Sequence, residues 1–290
     1  MRLGISRSGF EFHRRVTGAA HFLLFDNGSV DEPQAVLEPW ISAGVVTLLD
    51  CPHPFACGAQ SKAYEHALRW GAGRSRWLAF IDIDEFLFSP TGESVSELLR
   101  GYERHPGVVV GWHVYGAAER GSTPHQLVTA RCVRRAPARW VRNRRVKSIV
   151  DPVRASAPLG PHFFVFADGG HAVTERHKPV SVVGVSPKRR AFYRWLACVG
   201  AVCVDPFAIR AIDGPRPSAS LLRINHYAVR SLDEFAAKIA RHQESDPCHA
   251  SGSRLPSLYW RYHNRREVLD PALAAYAQTV RAAIDDMRAG

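Results

Sequence analysis

The stretch that most constrains the fold is WLAFIDIDEFLF, which runs from Trp77 to Phe88. Its first part, Trp77 to Ile81, is apolar without polar alternation, which predicts a strand buried on both faces, as in the centre of a parallel sheet. Asp82, Asp84 and Glu85 follow directly. A buried carboxylate without a partner is strongly unfavourable, so these acids indicate a binding function rather than packing. Because residues two apart on an extended chain point the same way, Asp82 and Asp84 are expected to face one site.

This acidic cluster falls at the carboxyl end of a predicted strand, where ligands bind in open α/β sheets. A hard divalent cation, Mn²⁺ or Mg²⁺, that bridges the carboxylates to a substrate phosphate would account for the acids. The alternative is a strand that ends in a turn with solvated acids. Acids wedged between two apolar aromatic clusters favour the cation site.

The length and charge of the chain bound the remaining possibilities. Its 290 residues suit one large α/β domain or two closely packed halves. The net charge of +11 favours an anionic partner: a nucleotide diphosphate, an acidic glycan, a membrane surface or nucleic acid. Charge alone does not choose among them.

Cysteine usage and hydropathy predict a cytoplasmic protein that is at most peripheral at an anionic membrane. The six cysteines form no CxxC pair, and the spacing of Cys51 and Cys57 fits no common zinc motif, so free thiols in a reducing compartment are the simpler account. The first ten residues lack the apolar core of a signal peptide. The longest apolar stretch, residues 195–204, is about half the length that spans a bilayer.

Polar residues also occur at a predicted turn and at a predicted helix start in the first quarter of the chain. Asp26 and Asn27 open a turn after a predicted strand. Gln60 and Lys62 precede apolar residues at helical spacing, and the N-terminus of a helix is a ready site for phosphate. An ordinary turn and an ordinary helix start are the alternatives.

Two features of the later chain bear on the site. The basic run from Arg131 to Lys147 is typical of a solvated face. An apolar strand that begins at Leu221 ends at His226, and Ser231 with Glu234 forms a capping box for the next helix. Because one crevice serves the ends of the strands in an open sheet, His226 is expected in the same cleft as Asp84, without direct contact.

These segments together resemble glycosyltransferases with the GT-A fold, in particular glycosyltransferase family 92 and family 2-like bacterial relatives. The central stretch resembles the DxD segment of that group. Other segments are similar in the same order, and they are DNGSVD at 26–31, the glutamine-led helix at 60, the Trp112 to Gly116 segment, KSIVDP at 147–152, and INHY with the following SLDEFAAK, which ends at Lys238.

The resemblance implies a GT-A-like, Rossmann-like mixed sheet flanked by helices, in a single large α/β domain of two halves. Residues 1–116 would bind the donor and carry the DxD segment, and residues 117–245 would face the acceptor. Residues 246–290 would form a C-terminal helical segment that packs on the outside.

The resemblance also implies a function and a set of site residues. The expected reaction is metal-dependent transfer of a sugar, with inversion, from a nucleotide-sugar donor to a glycan, a lipid-linked acceptor or another hydroxyl group. The residues expected to bind the donor are Asp26, Asn27, Gln60, Lys62, Asp82, Trp112 and Lys147. The residues expected to bind Mn²⁺ or Mg²⁺ are Asp82, Asp84 and His226. Asp168 and Glu175 are the candidates for the general base that inversion requires.

Three other functions are alternatives to sugar transfer. A haloacid-dehalogenase-type phosphatase has a small β-branched residue two positions after the second aspartate, where this chain has Phe86, so this function is disfavoured. A basic nucleic-acid-binding protein gives no reason for the carboxylates, so no nucleic-acid partner is expected. A catalytically impaired relative that binds nucleotide or glycan stays open, because only ten residues precede Glu11 where the family has a first strand.

Overall fold

The computed structural model describes residues 3–29, 32–51, 59–118, 126–180, 217–245 and 256–289. The apolar stretch 195–204, Asp31 and four of the cysteines (Cys57, Cys198, Cys203 and Cys248) lie outside the described residues. The two described cysteines, Cys51 and Cys132, are buried free thiols. Within the described ranges, no helix is long and apolar enough to cross a membrane.

Helices and strands alternate in the first part of the described chain, and strands predominate between residues 134 and 226. The helices are α1 (Leu3–Phe12), α2 (Pro33–Ser42), α3 (Ala59–Gly71), α4 (Val95–Leu99), α5 (Val128–Arg131), α6 (Leu232–Ser245), α7 (Pro256–His263) and α8 (Ala277–Ala289). The strands are β1 (Phe22–Asp26), β2 (Val46–Asp50), β3 (Leu78–Ala79), β4 (Glu85–Phe88), β5 (Gly107–Val114), β6 (Arg134–Arg135), β7 (Val146–Val150), β8 (Ala155–Leu159), β9 (Phe163–Phe166), β10 (Val173–Thr174), β11 (Arg223–His226) and β12 (Val268–Leu269).

A six-stranded mixed sheet forms the centre of the molecule, in the order β3, β7, β5, β11, β4, with β10 also beside β5. Strands β10 and β11 run parallel to β5, whereas β7 runs antiparallel to it. Alternate residues of β5 face opposite layers: Val109 packs with Tyr64 of α3, and Val108 packs with Leu99 of α4. Helices therefore cover both faces, which confirms the predicted GT-A-like α/β architecture.

The predicted central strand at Trp77–Ile81 is wrong. Only Leu78 and Ala79 pair, with β7, and they form one end of the strand order, while β4 forms the other end. The N–H of Glu85 donates to the carbonyl of Asp82, and this turn ends the extended conformation between the two strands. Phe80 is instead buried by side chains of α3 and β9. An apolar run in the sequence looks the same whether side chains or neighbouring strands bury it. The central, doubly buried strand is β5.

The segment EFHRR at the end of α1 covers β4 from outside. Phe12 packs edge-on against Phe86, with 5.1 Å between ring centroids. His13 accepts the N–H of Leu87 at its Nε2 atom, at 3.1 Å. Buried Glu11 accepts the indole N–H of Trp40 on α2 at 2.6 Å. Strands β1 and β2 form a separate parallel pair beside α2.

The basic run from Arg131 to Lys147 is not the solvated face that its composition suggested. Arg131 pairs with Glu234 at 2.6 Å, and Arg135 pairs with Asp270 at 2.6 Å. Arg142, Arg145 and Lys147 are buried. The acids that neutralise the first two arginines come from the last third of the chain, so the local sequence gives no sign of them.

The C-terminal segment contributes to the core as well as to the outer surface. Helix α8 packs on α1, and its Val280 and Ile284 join the cluster that contains Phe12 and Phe86. Strand β12 pairs with β6.

Candidate active site

The acids of the DxDE segment lie where several strands of the main sheet begin or end. His226, the last residue of β11, is opposite Val114, the last residue of β5, and opposite Glu85, the first residue of β4. The N–H of Phe80 donates to the carbonyl of Ser148, the middle residue of β7, one residue from Lys147. The loop from Phe80 to Asp84 therefore joins the two ends of the strand order across this end of the sheet.

Asp82 belongs to a cluster with Lys147 and Gln60. Lys147 Nζ lies 2.9 Å from Asp82 Oδ1, and Gln60 Nε2 donates to the same oxygen at 3.1 Å. Gln60 Nε2 also lies 3.1 Å from the hydroxyl oxygen of Tyr64, one turn further along α3. The side chain of Asp82 is 39% exposed, whereas that of Lys147 is 1% exposed. Asp82 is thus the solvent-facing member of the cluster.

Glu85 lies beneath Asp82 and is fully enclosed. Its Oε2 accepts the N–H of Asp82 at 2.8 Å and lies 3.7 Å from Lys147 Nζ. Among the described residues, no hydrogen-bond donor reaches its Oε1. Burial, against the pull of Lys147, raises the pKa of Glu85 well above its usual value. Burial would lower the pKa of Lys147, but Glu85 and Asp82 outweigh it and hold that pKa above its usual value. We conclude that Lys147 is the ammonium partner of Asp82, and that Glu85 is protonated more readily than an ordinary glutamate, because its pKa is raised by burial.

Asp84 belongs to a second cluster, with His226 and Lys238. Lys238 Nζ lies 2.9 Å from Asp84 Oδ2, and His226 Nε2 lies 3.5 Å from Asp84 Oδ1. Burial alone would raise the pKa of Asp84, but Lys238 and His226 outweigh it and hold the pKa well below its usual value. Asp84 is therefore an anion at neutral pH. The sequence predicted that His226 shares a cleft with Asp84 without contacting it, and the structure brings the two side chains to 3.5 Å.

An aromatic wall backs His226. The ring of Trp112 lies 4.2 Å from the ring of His226, and the ring of His263 lies 6.1 Å from the ring of His226. His263 stacks on Tyr259 one turn earlier in α7 and donates from Nδ1 to the carbonyl of Tyr259. Burial, with His226 next, holds the pKa of His263 well below its usual value. The wall therefore presents a neutral imidazole and apolar ring faces.

Some of the site residues were not predicted from sequence. Lys238 ends the segment that resembles the family, and its helical spacing from Glu234 was a usable signal that it faces inward. Tyr259 and His263 lie on a helix whose sequence carries no motif, so only the tertiary structure places them beside His226.

Asp26 and Asn27 lie at the end of β1. Phe25, the residue before Asp26, packs with Ala59 and Ala63 of α3, the helix that also carries Gln60. The Asp26 carboxylate accepts the N–H of Ser29 at 3.2 Å, and its Cα partner on β2 is Asp50. Asn27 is exposed.

Lys62 lies on α3 and is exposed to solvent. Among the described residues, it forms no ion pair with Asp82, Asp84 or Glu85.

Asp168 lies at the opposite end of the sheet from His226. Arg154 donates to Asp168 at 2.9 Å and to the carbonyl of Arg104, just before the start of β5. His226 is opposite the last residue of β5, so the separation is roughly the length of that strand, about 23 Å. The structure therefore does not bring Asp168 to the acidic cluster.

Glu175 is buried beside the first half of β5 and has structural partners. Its Oε1 accepts the N–H and hydroxyl of Ser218, and its carbonyl accepts the hydroxyl of Tyr102 at 2.5 Å. It directly follows Thr174, whose partner on β5 is Val109.

The chemistry of the site fits a divalent cation in part. A carboxylate oxygen and an imidazole nitrogen 3.5 Å apart, at Asp84 and His226, suit Mn²⁺, and Asp82 supplies a second, more exposed carboxylate. Among the described residues, no three His, Cys, Asp or Glu side chains form a ready-made metal site. The remaining ligands would have to be phosphate oxygens and water, as is usual for cations that act on nucleotides.

Comparison with known proteins places the chain among glycosyltransferases. The chain is similar to a galactan beta-1,4-galactosyltransferase of Arabidopsis thaliana, 31% identical over 109 residues, covering 34% of this chain and 21% of that protein. It is also similar to glycosyltransferase family 92 proteins of Ricinus communis (27% identical, 54% of this chain and 28% of that protein) and of Oryza sativa subsp. japonica (30% identical, 49% and 24%). The chain thus spans about a quarter of the length of these relatives.

The sequence model of glycosyltransferase family 92 matches residues 7–182, which is more than half of the chain and includes Gln60, Asp82, Asp84 and Lys147. The chain belongs to glycosyltransferase family 92.

Proposed function

We propose that this chain transfers a sugar, most simply a galactosyl group, from a nucleotide-diphosphate donor to a hydroxyl group of a glycan. The observation that carries the proposal is the convergence of Asp82, Asp84, Lys147, Lys238 and His226 at one end of the central sheet. The galactosyl assignment rests on the names of the Arabidopsis relatives, which are galactan beta-1,4-galactosyltransferases.

The chemistry required is stabilisation of the negative charge that develops on the leaving diphosphate. Asp84 and His226, with Asp82, are the residues that would hold Mn²⁺ or Mg²⁺, which supplies Lewis-acid charge to the diphosphate when bound. Lys147 and Lys238 add two ammonium groups at the same place. Gln60 fixes the Asp82 carboxylate through its side-chain amide.

Tyr259, which is half-buried, would offer an aromatic face to a sugar ring. Trp112 and His263 are buried, so they would support His226 and Tyr259 rather than contact the sugar. Aromatic faces next to a few fixed polar groups are typical of pockets that orient a ligand. Inversion is part of the proposal and needs a general base on the face opposite the leaving group. The positions of Asp168 and Glu175 do not favour either residue for that role.

The test is release of nucleoside diphosphate from a panel of nucleotide sugars, with Mn²⁺ and β-1,4-linked galactan oligosaccharides as acceptors. We expect turnover with a galactose donor, and a loss of about a hundredfold or more in Asp84→Asn, because one fixed group at the leaving diphosphate is lost. Asp285→Asn, an exposed carboxylate on α8, is the matched control and should keep full activity. Nucleotide binding without turnover for every donor and acceptor would instead identify a catalytically impaired binding protein.

A further inference from the structure

Lys238 is held over Asp84 by three different groups. Its ammonium group lies 2.9 Å from Asp84 Oδ2 and 3.4 Å from the carbonyl oxygen of Ala228, and it faces the ring of Tyr259 at 5.8 Å. The helix that carries it begins at a cap in which Ser231 Oγ accepts the N–H of Glu234 at 3.1 Å. This arrangement places the ammonium group at the carboxylate before any ligand arrives.

The two oxygens of Asp84 have different neighbours as a result. Oδ2 contacts Lys238 Nζ, and Oδ1 lies 3.5 Å from His226 Nε2. The charge of the carboxylate is already balanced by the ammonium group. The ammonium group of Lys238 therefore opposes the binding of a divalent cation to Asp84, because it neutralises the carboxylate and repels the cation.

Lys147 stands in a different position, although it also neutralises an aspartate. It is 1% exposed and lies between two acids, Asp82 and Glu85. Lys238 is 20% exposed and has one acid partner among the described residues, Asp84. Lys238 is thus the lysine that can turn from its aspartate toward an arriving anion.

We propose that Lys238 is a positioning residue that keeps the affinity of the site for divalent cations low until a nucleoside diphosphate binds. This inference rests on the proposed function and deepens it. The diphosphate brings negative charge that offsets both the ammonium group and the incoming cation, so each ligand favours the other. Cation and diphosphate then bind cooperatively, and by linkage the coupling is reciprocal.

The test is a titration of Mn²⁺, followed by electron paramagnetic resonance of the free ion, with and without saturating uridine diphosphate. Working at about pH 8 keeps an ordinary imidazole neutral. For the unaltered chain we expect Mn²⁺ to bind at least about tenfold more tightly when the diphosphate is present, within the usual range of coupling between sites.

Lys238→Gln removes the charge but keeps a hydrogen-bond donor toward Asp84. It should bind Mn²⁺ alone about tenfold more tightly than the unaltered chain, and the coupling should fall toward one, because the opposing charge is gone. Lys238→Met should also bind Mn²⁺ alone more tightly and lose the coupling. It replaces Lys238→Gln if a thermal melt shows that the glutamine variant does not fold. Lys238→Arg keeps the charge and should keep the coupling. Lys178→Met removes an exposed lysine next to β10 and controls for net charge.

The outcomes separate the two proposals. If the unaltered chain shows coupling but the neutral variants bind Mn²⁺ alone no more tightly, the role of Lys238 is refuted while the metal site stands. If Mn²⁺ binds neither alone nor with the diphosphate, the metal-dependent function fails and this inference fails with it.

Discussion

Replacing His13 with glutamine is expected to make folding stability less dependent on pH in the mildly acidic range. His13 is buried, donates from Nδ1 to the carbonyl of Gly9 at 2.7 Å, and accepts the N–H of Leu87 at Nε2. A second proton would have to sit on Nε2, where it would face that N–H. Burial, partly opposed by the Gly9 hydrogen bond, lowers the pKa of His13 from 6.5 to about 4.

The direction follows because the unfolded chain binds this proton more readily than the folded chain. The stability associated with neutral His13 is fully present above pH 6.5 and is lost as the pH falls from there toward about 4. A difference of about 2.5 pKa units makes the loss roughly 2–3 kcal/mol by about pH 4.5. Glutamine does not titrate, and its side-chain oxygen can still accept the Leu87 N–H.

The assay is urea unfolding, monitored by tryptophan fluorescence, at about pH 7.5 and about pH 4.5, where most of the predicted loss has occurred. The unaltered chain should lose roughly 2–3 kcal/mol more than His13→Gln between the two conditions. His171→Gln, which alters an exposed histidine, should retain the full pH dependence. If His13→Gln loses as much stability on acidification as the unaltered chain, the assignment of His13 as a buried neutral acceptor is refuted.

Two other predictions concern the acids outside the cluster and the buried basic run. Glu175→Ala should lower stability by about 1–3 kcal/mol, because Ser218 loses its acceptor; a melt that is unchanged together with a collapse in kcat would instead make Glu175 a catalytic group. Arg131→Met should destabilise by about 3 kcal/mol or more, because it leaves Glu234 without its closest cation, and adding Glu234→Met should recover much of the loss. Equal melting temperatures for the single and double variants would contradict the idea that Arg131 and Glu234 compensate each other.

The sequence predicted that the acidic cluster and His226 share a cleft because each stands at the end of an apolar run, and strand ends meet in an open sheet. The sequence wrongly predicted that Trp77–Ile81 is a central strand, because a buried segment is apolar whether strands or side chains cover it. It also misjudged Arg131 and Arg135, whose acidic partners, Glu234 and Asp270, lie about a hundred residues or more away in the chain. Local pattern carries information about which face is buried, but not about which distant charge arrives there.

The hydrogen bond between Asp84 and Lys238 also sets an order of events during synthesis of the chain. The two residues are 154 positions apart, and β4 obtains its partner β11 from the same late region. At ribosomal rates of about 5–20 residues per second, Asp84 waits roughly 8–30 seconds before Lys238 has been made. The nascent chain therefore carries one edge of β4 without its partner until β11 has been made, and Asp84 without its partner until Lys238 has been made. The acidic cluster is assembled late, and a chain that stops before β11 would have Asp84 without its ammonium partner and β4 with an open edge, both features that favour misfolding.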